Sequence, residues 1–346
     1  MTPLLHSTTT GATAAMSTPP LSTRRRTLGL CVLALAGAMA FSPAPVRAQA
    51  QAAPYPSKPV RIISPFPPGG PTDSVARLVA AKLGEALGQP FIIENRPGAS
   101  GAIGSMVVAK APPDGYTLLM GATSSHIAPY LLKTQSYDPM KDVLPIVNVG
   151  LMPFYLIVNR KVPASSLHDF ITLAKKQPGH FSYASPGNGT LAHLAMEMFK
   201  ERAGVDILHV PYKGSAQVVT DVMAGQVDTT FNVTPIKSDQ VRMLALTAAR
   251  RSADMPEVPT AAEAGLPNFE LALWVGLFGP LNLPPAITER LNREVNKAMA
   301  APEMQEQLRV ANIQYTPNTP AQFASFLATD TPRWEKVIRD VGVKVD

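Results

Sequence analysis

The chain's 346 residues are too many for one ordinary domain, and its balance of 46% hydrophobic to 16% charged residues excludes a disordered one. Its net charge of +6 resides mostly in residues 1–50, which hold four of the 31 basic residues and no acid, leaving 27 against 25, or +2. Beyond residue 50 no Lys/Arg-rich cluster points to nucleic acid.

Residues 1–50 read as an export signal: Arg24, Arg25 and Arg26, the apolar run Leu28 to Phe41, and Ala48-Gln49-Ala50 as a small-x-small cleavage site. The run is too short to span a bilayer comfortably. Thr23 to Leu28 carries a partial twin-arginine pattern, so Sec and Tat export both fit, to the periplasm in either case. Met16 is an alternative start to Met1. The one cysteine, Cys31, lies within the signal, so the mature chain has no disulfide, zinc–thiolate site or thiol nucleophile.

From Tyr55 the pattern is strand, loop, helix, repeated. Val60 to Ile63 is a β-branched strand, and Val75, Leu78, Val79, Leu83 and Leu87 place a helix between Pro71 and Gly88. Phe91 to Ile93 and Tyr116 to Met120 are strands flanking a helix over Ala102 to Lys110. The pattern restarts with strands at Phe154 to Val158, Phe181 to Ala184, Ile207 to Val210, Val227 to Asn232 and Met243 to Thr247. Helices fall at Leu191 to Ala203 and Gln217 to Ala224, then Pro285 to Ala300, Pro302 to Val310, Pro320 to Leu327 and Pro332 to Val341. This alternation predicts an α/β protein of two lobes, each a mainly parallel sheet flanked by helices, with the C-terminal helices returning to the first lobe. Residues 51–152 and 275–346 form lobe 1 and residues 153–274 lobe 2.

Two loops stand where function belongs. Phe66 to Asp73 and Ser185 to Thr190 each join the carboxyl end of a strand to the start of a helix, the place where open α/β sheets bind ligands. Small residues there expose helix N-terminal amides, an arrangement that binds anions, and neither loop carries Lys or Arg. The plainer reading of either loop is a tight, capped turn. Asp73 fits two roles, steadying the first helical turn or meeting a ligand hydroxyl or ammonium group.

Other motifs are weak. Gly187-x-Gly189-x-x-Ala192 imitates a dinucleotide fingerprint, but Asp206 precedes its strand instead of ending it. His193 and Glu197 share a helix face without a second cluster to complete a metal site. Gly98-Ala99-Ser100-Gly101 lacks the second glycine of a nucleophile elbow, since Ala102 sits there. Lys213 reads as a solvated turn residue that could also line a cleft, and Trp274 and Trp334 read as core. No catalytic triad, carboxylate pair or metal site emerges, and no cofactor is implied.

Six stretches together closely resemble the tripartite tricarboxylate transporter receptor family, or Bug-type solute-binding proteins. They are Tyr55 to Pro59, Pro65 to Asp73, Glu94 to Ala99, Pro113 to Leu119, His209 to Gly214 and Glu263 to Pro267. The resemblance implies a two-lobed periplasmic-binding-protein-like fold (type II) that closes on a small carboxylate, held by backbone amides, and catalyses nothing. It implies a monomer whose partner is a membrane permease or a signalling sensor. Its contacts fall on Phe66, Gly69, Gly70, Thr72 and Asp73 on one side. On the other they fall on Ser185, Asn188, Gly189, Thr190 and His193, with Ser124 and Ser125 added. After Phe231 the chain departs from the family pattern: Asn232 to Gln240 is shortened, which remodels the pocket wall at Asn232. The competing readings are an exported enzyme acting on a carboxylate and a binding protein that serves only as a sensor.

Overall fold

The computed structural model describes residues 55–132 and 137–342, so the segment read as an export signal, with Met16 and Cys31, lies outside the described residues. The chain begins with β1 (Val60–Ser64), α1 (Pro71–Leu87), β2 (Phe91–Asn95), α2 (Ala102–Ala109), β3 (Thr117–Ala122), α3 (Thr123–Leu131) and β4 (Val143–Pro153). It continues through β5 (Tyr155–Asn159), α4 (Leu167–Lys176), β6 (Ser182–Ser185), α5 (Leu191–Ala203), β7 (Leu208–Pro211), α6 (Ser215–Ala224), β8 (Thr229–Asn232) and β9 (Val241–Leu246). Last come β10 (Ala272–Pro280), α7 (Pro285–Met299), α8 (Pro302–Val310) and α9 (Pro320–Val341).

Helix α1 shows why these elements form. Pro71 at its start has no N–H to leave unpaired, and Gly88 ends it in the left-handed conformation (φ 70°) while donating to the Gly84 carbonyl. Between them Val75, Ala76, Val79, Ala80 and Leu83 repeat every three or four residues and are buried. Each Val or Leu among them contributes about 1.5–3 kcal/mol at most.

The strands form two five-stranded sheets of matching design, ordered β2-β1-β3-β10-β4 and β7-β6-β8-β5-β9. In each, three neighbouring strands are parallel and the remaining two pairings are antiparallel. Four strands of each sheet therefore point one way, and only β10 or β5, next to an edge, runs against them. The result is the two-lobed, mainly parallel α/β architecture expected from the sequence.

The chain passes between the sheets at Phe154 and again near Leu271, and Thr247 fastens both passages. Its N–H donates to the Phe154 carbonyl and its hydroxyl accepts from the Phe154 N–H, each at 2.8 Å. The same hydroxyl donates to the Leu271 carbonyl at 2.6 Å, and the Leu271 N–H returns a bond to the Thr247 carbonyl at 3.1 Å. The returning strand β10 begins at Ala272.

Two expectations about the end of the chain are corrected. Pro320 to Val341 is one helix with Pro332 inside it, not two. Leu327, Thr331, Trp334 and Ile338 continue one buried face across the proline, and this burial outweighs the missing hydrogen bond. Helix α9 also packs against β4 and α3 of the first lobe and α5 of the second, so it does not return to one lobe alone.

Candidate functional site

Strands β1, β3, β6 and β7 each deliver the chain to the start of a helix, and the four helix starts face one cavity. Gly70, Pro71 and Thr72 open α1, Ser124 lies in the first turn of α3, Thr190 to Ala192 open α5, and Gly214 and Ser215 open α6. Phe66, Pro67, Phe154, Pro186, Phe231, Asn232, Val233 and Leu273 complete the wall. The cavity encloses about 80 Å³. At about 10–15 Å³ per water, it holds about six waters or a small organic acid.

None of these wall residues is Asp, Glu, Lys, Arg or His. The electrostatics therefore come from the helices. First-turn N–H groups have no acceptor within their helix, and each N-terminus carries about half a positive charge. Two helix starts come from each lobe, so the cavity is positive without a cation and suits an anion approached from both sides.

The lobes touch around the cavity. The Leu191 N–H donates to the Ser124 hydroxyl at 2.9 Å, and the Ser100 hydroxyl donates to the Asn188 carbonyl at 2.6 Å. Gly214 packs against Pro67, where an added Cβ would meet Pro67 Cγ at 3.5 Å.

Of the residues proposed from sequence, Phe66, Gly70, Thr72, Ser124, Thr190 and Asn232 lie on the cavity wall. Gly69, Asp73, Ser125, Ser185, Asn188, Gly189 and His193 do not; their polar groups are taken up by hydrogen bonds within the protein. The Asp73 carboxylate is 2% exposed and accepts from Arg77 Nε at 2.9 Å, Asn95 Nδ2 at 2.7 Å and the Gly69 N–H at 3.0 Å. Burial alone raises its pKa, but these hydrogen bonds outweigh it and hold the group below the usual carboxylate range. Of its two possible roles, Asp73 takes the structural one. The Ser125 hydroxyl is bonded to both the N–H and the carbonyl of Ala122, which caps α3.

Beneath the second loop lies a stack of Tyr183, His209 and His193, with centroid separations of 4.6 Å and 4.1 Å. His209 Nε2 meets the Ser185 hydroxyl at 2.7 Å, and His193 Nδ1 accepts the Gly189 N–H at 3.0 Å. The two rings thus brace the loop from below. Burial lowers both histidines, His209 to about 4 with a further push from His193, so both are neutral near pH 7. Glu197, suggested from sequence as a metal ligand beside His193, accepts instead from Tyr183 at 2.5 Å and Lys200 at 2.9 Å.

Sequence reasoning overlooked Gly214 and Ser215. Their signal was present in Pro211-Tyr212-Lys213-Gly214, a third strand–turn–helix junction, but the helix was expected to start at Gln217 and begins at Ser215. Lys213 itself is exposed.

Comparison with known proteins agrees with this architecture. The model of the family described as "Tripartite tricarboxylate transporter family receptor" matches residues 75–343. The chain is 40% identical over 311 residues to the UPF0065 protein of the tcbD-tcbE intergenic region of Pseudomonas sp. (strain P51), covering 88% of this chain and 92% of that one. It is 36% identical over 323 residues to protein BugT of Bordetella pertussis, covering 91% and 98%. The solved structure described as R. palustris Rpa4515 with adipate superposes with a TM-score of 0.79 at 34% identity, covering 84% of this chain and 99% of that one.

Proposed function

The chain belongs to the tripartite tricarboxylate transporter receptor family, and on that footing we propose that it is a periplasmic solute-binding protein whose two lobes close on a small carboxylate. The single observation that carries this reading is the convergence of four helix N-termini, two from each lobe, on one small cavity walled without charged residues. A carboxylate there accepts hydrogen bonds from first-turn amides of α1, α3, α5 and α6, each worth about 1.5–3 kcal/mol to a charged acceptor. The hydroxyls of Thr72, Ser124 and Ser215 and the second Nδ2 hydrogen of Asn232 supply further polar contacts, while the Thr190 hydroxyl donates to the Gly187 carbonyl at 2.8 Å. The adipate held by the R. palustris relative supports this ligand class.

In this reading residues 1–50 direct export, residues 51–152 and 275–346 make lobe 1, and residues 153–274 make lobe 2. A monomer presents the closed lobes to a membrane permease or a sensor. Gly69, Asp73, Ser125, Ser185, Asn188, Gly189 and His193 act indirectly by holding the two loops in shape. Binding is favoured over catalysis because Ser185 and His209, the pair at nucleophile–base spacing, do not reach the cavity. Ser185 is fully buried, and its hydroxyl also meets the Gly187 carbonyl.

A thermal-shift screen of the mature protein against aliphatic, aromatic and amino-substituted acids tests the proposal. An acid present at about 100 times its Kd stabilises the native state by about 2.7 kcal/mol, a rise of about 5 °C for a protein of this size. A panel that leaves the melting temperature unmoved, or any acid consumed during incubation, would overturn it.

A further inference from the structure

Beside the cavity lies a second and much larger hollow, a groove of about 790 Å³ between the lobes. Pro71, Ser215 and Asn232 line both spaces, so a single layer of residues separates them. On the lobe 1 side the groove is walled by Val75 and Leu78 of α1, with Met152 and Ile313; on the other by Val219 of α6 and Ile236. Lys237 is the only charged residue on its wall. The partition is thin and movable at Asn232. That residue ends β8, and its side chain is pinned by one hydrogen bond, from Nδ2 to the Thr234 carbonyl at 2.7 Å. Release of that one bond would let the Asn232 side chain turn aside.

We infer that the two hollows form one binding site, and that the ligand is a carboxylate with an unbranched apolar tail running past Asn232 into the groove. The inference rests on the carboxylate reading and adds the substrate class to it. The division of labour follows from the walls. Helix N-termini line the small cavity and favour the anionic head, whereas aliphatic side chains line the groove and favour the tail. The cavity of about 80 Å³ takes a small acid whole, and a longer tail has to leave it. The aliphatic side chains of Val75, Leu78, Val219 and Ile236 favour an apolar tail, and Lys237 is the group on that wall able to meet a second negative charge.

Isothermal titration calorimetry of the mature protein with butanoate, hexanoate and octanoate, all below micellar concentrations, tests this. Complete burial of a methylene tightens binding about fourfold. A groove open on one side gives about half of that free energy, so octanoate binds about tenfold or more tighter than butanoate. Val219→Trp fills the groove from a half-buried position on α6, and Ala216→Phe does so from an exposed position one turn earlier. Either variant returns octanoate to the affinity of butanoate. If butanoate binds but octanoate gains nothing, or if the gain survives both substitutions, the tail does not lie in the groove and the carboxylate reading stands alone. If none of the three binds while another acid of the thermal-shift panel does, this inference falls and the carboxylate reading stands; if no acid of either set binds, both fall.

Discussion

Ser124→Asp separates an electropositive cavity from a merely polar one. Ser124 is in the first turn of α3, its hydroxyl accepts the Leu191 N–H at 2.9 Å, and it shares the cavity wall with the starts of α1, α5 and α6. A carboxylate at this position keeps the acceptor for Leu191 and places a negative charge among four helix N-termini. Each nearby terminus stabilises such a charge by about 0.3–1 kcal/mol, so the ligand-free variant is at least as stable as the parent and gains up to about 2 kcal/mol. Acid binding responds in the opposite direction. Two carboxylates about 4 Å apart at an effective dielectric of about 20 repel by about 4 kcal/mol, close to a thousandfold loss of affinity. Ser124→Ala is the control. It removes one hydrogen bond between the lobes, costs about 1 kcal/mol and weakens binding about tenfold at most. Urea unfolding of the ligand-free proteins and calorimetry with an acid identified in the thermal screen read the two effects separately. A loss of more than about 2 kcal/mol in Ser124→Asp, or undiminished acid binding, would refute the electrostatic argument.

Three further outcomes follow from the geometry. Stability is flat above about pH 7 and declines as the pH falls from about 6.5 towards 4, because the unfolded chain takes up protons that native His126 and His209, both depressed to about 4, and the similarly lowered His193 refuse. Fully buried His126 contributes up to about 3 kcal/mol of this, so a urea midpoint unchanged between pH 7 and pH 5 contradicts the assignment. Gly104→Ala destabilises by about 2–3 kcal/mol despite the better helix former, because the new Cβ lies 2.7 Å from the Arg96 carbonyl oxygen and 2.8 Å from Pro65 Cα, backbone atoms that cannot swing aside. Equal stability in urea would show that α2 can shift away from the first loop. Asp73→Ala leaves one Asn95 Nδ2 hydrogen and the Gly69 N–H without an acceptor and costs about 1–3 kcal/mol, while Asn95 keeps the Phe66 carbonyl and exposed Arg77 adds little. Acid affinity falls with it as the loop slackens, and a variant that loses stability but binds normally would separate that loop from the site.

The alternation of strand and helix was legible because glycine and proline punctuate it. Leu191 to Ala203 was read with the bounds it has, and the loops after β1 and β6 were found from their glycines and their position between strand and helix. Strands β4 and β10 escaped notice for an identifiable reason. Both are central or long antiparallel strands with register shifts between them, and they carry Pro145, Gly150, Gly276 and Gly279 where regular alternation was sought. Helix α3, with Pro129 inside it, gave no usable period. The candidate residues divide along the same line. Position at a strand end can be read from sequence, but the direction of a hydroxyl or carboxylate depends on partners distant in the chain, as with Asp73 and Asn95 or Ser185 and His209. The polar residues that brace a loop and those that face its cavity are therefore of the same types, in the same few positions.

On the proposed reading, a site built from helix starts makes binding and closure a single event. An arginine fixed on one lobe would hold a carboxylate whether the lobes were apart or together, and its charge would have to be stripped of water at each closure. Here α1 and α3 belong to one lobe and α5 and α6 to the other, so opening removes two of the four helix starts from the anion at once. With one charge-assisted hydrogen bond from each, worth about 1.5–3 kcal/mol, separation of the lobes weakens the site by about 3–6 kcal/mol, about a hundredfold to twenty-thousandfold. The parts that must move are few. Thr247 ties both passages between the lobes together, and Asn312 binds the Pro153 carbonyl at 3.0 Å and the Val233 carbonyl at 2.7 Å across the same junction. On this reading the two passages, fastened at one place, serve as the hinge, and α9, which packs against both lobes, must give as they part. The same geometry lets a partner that pries the lobes open release the ligand without competing for it.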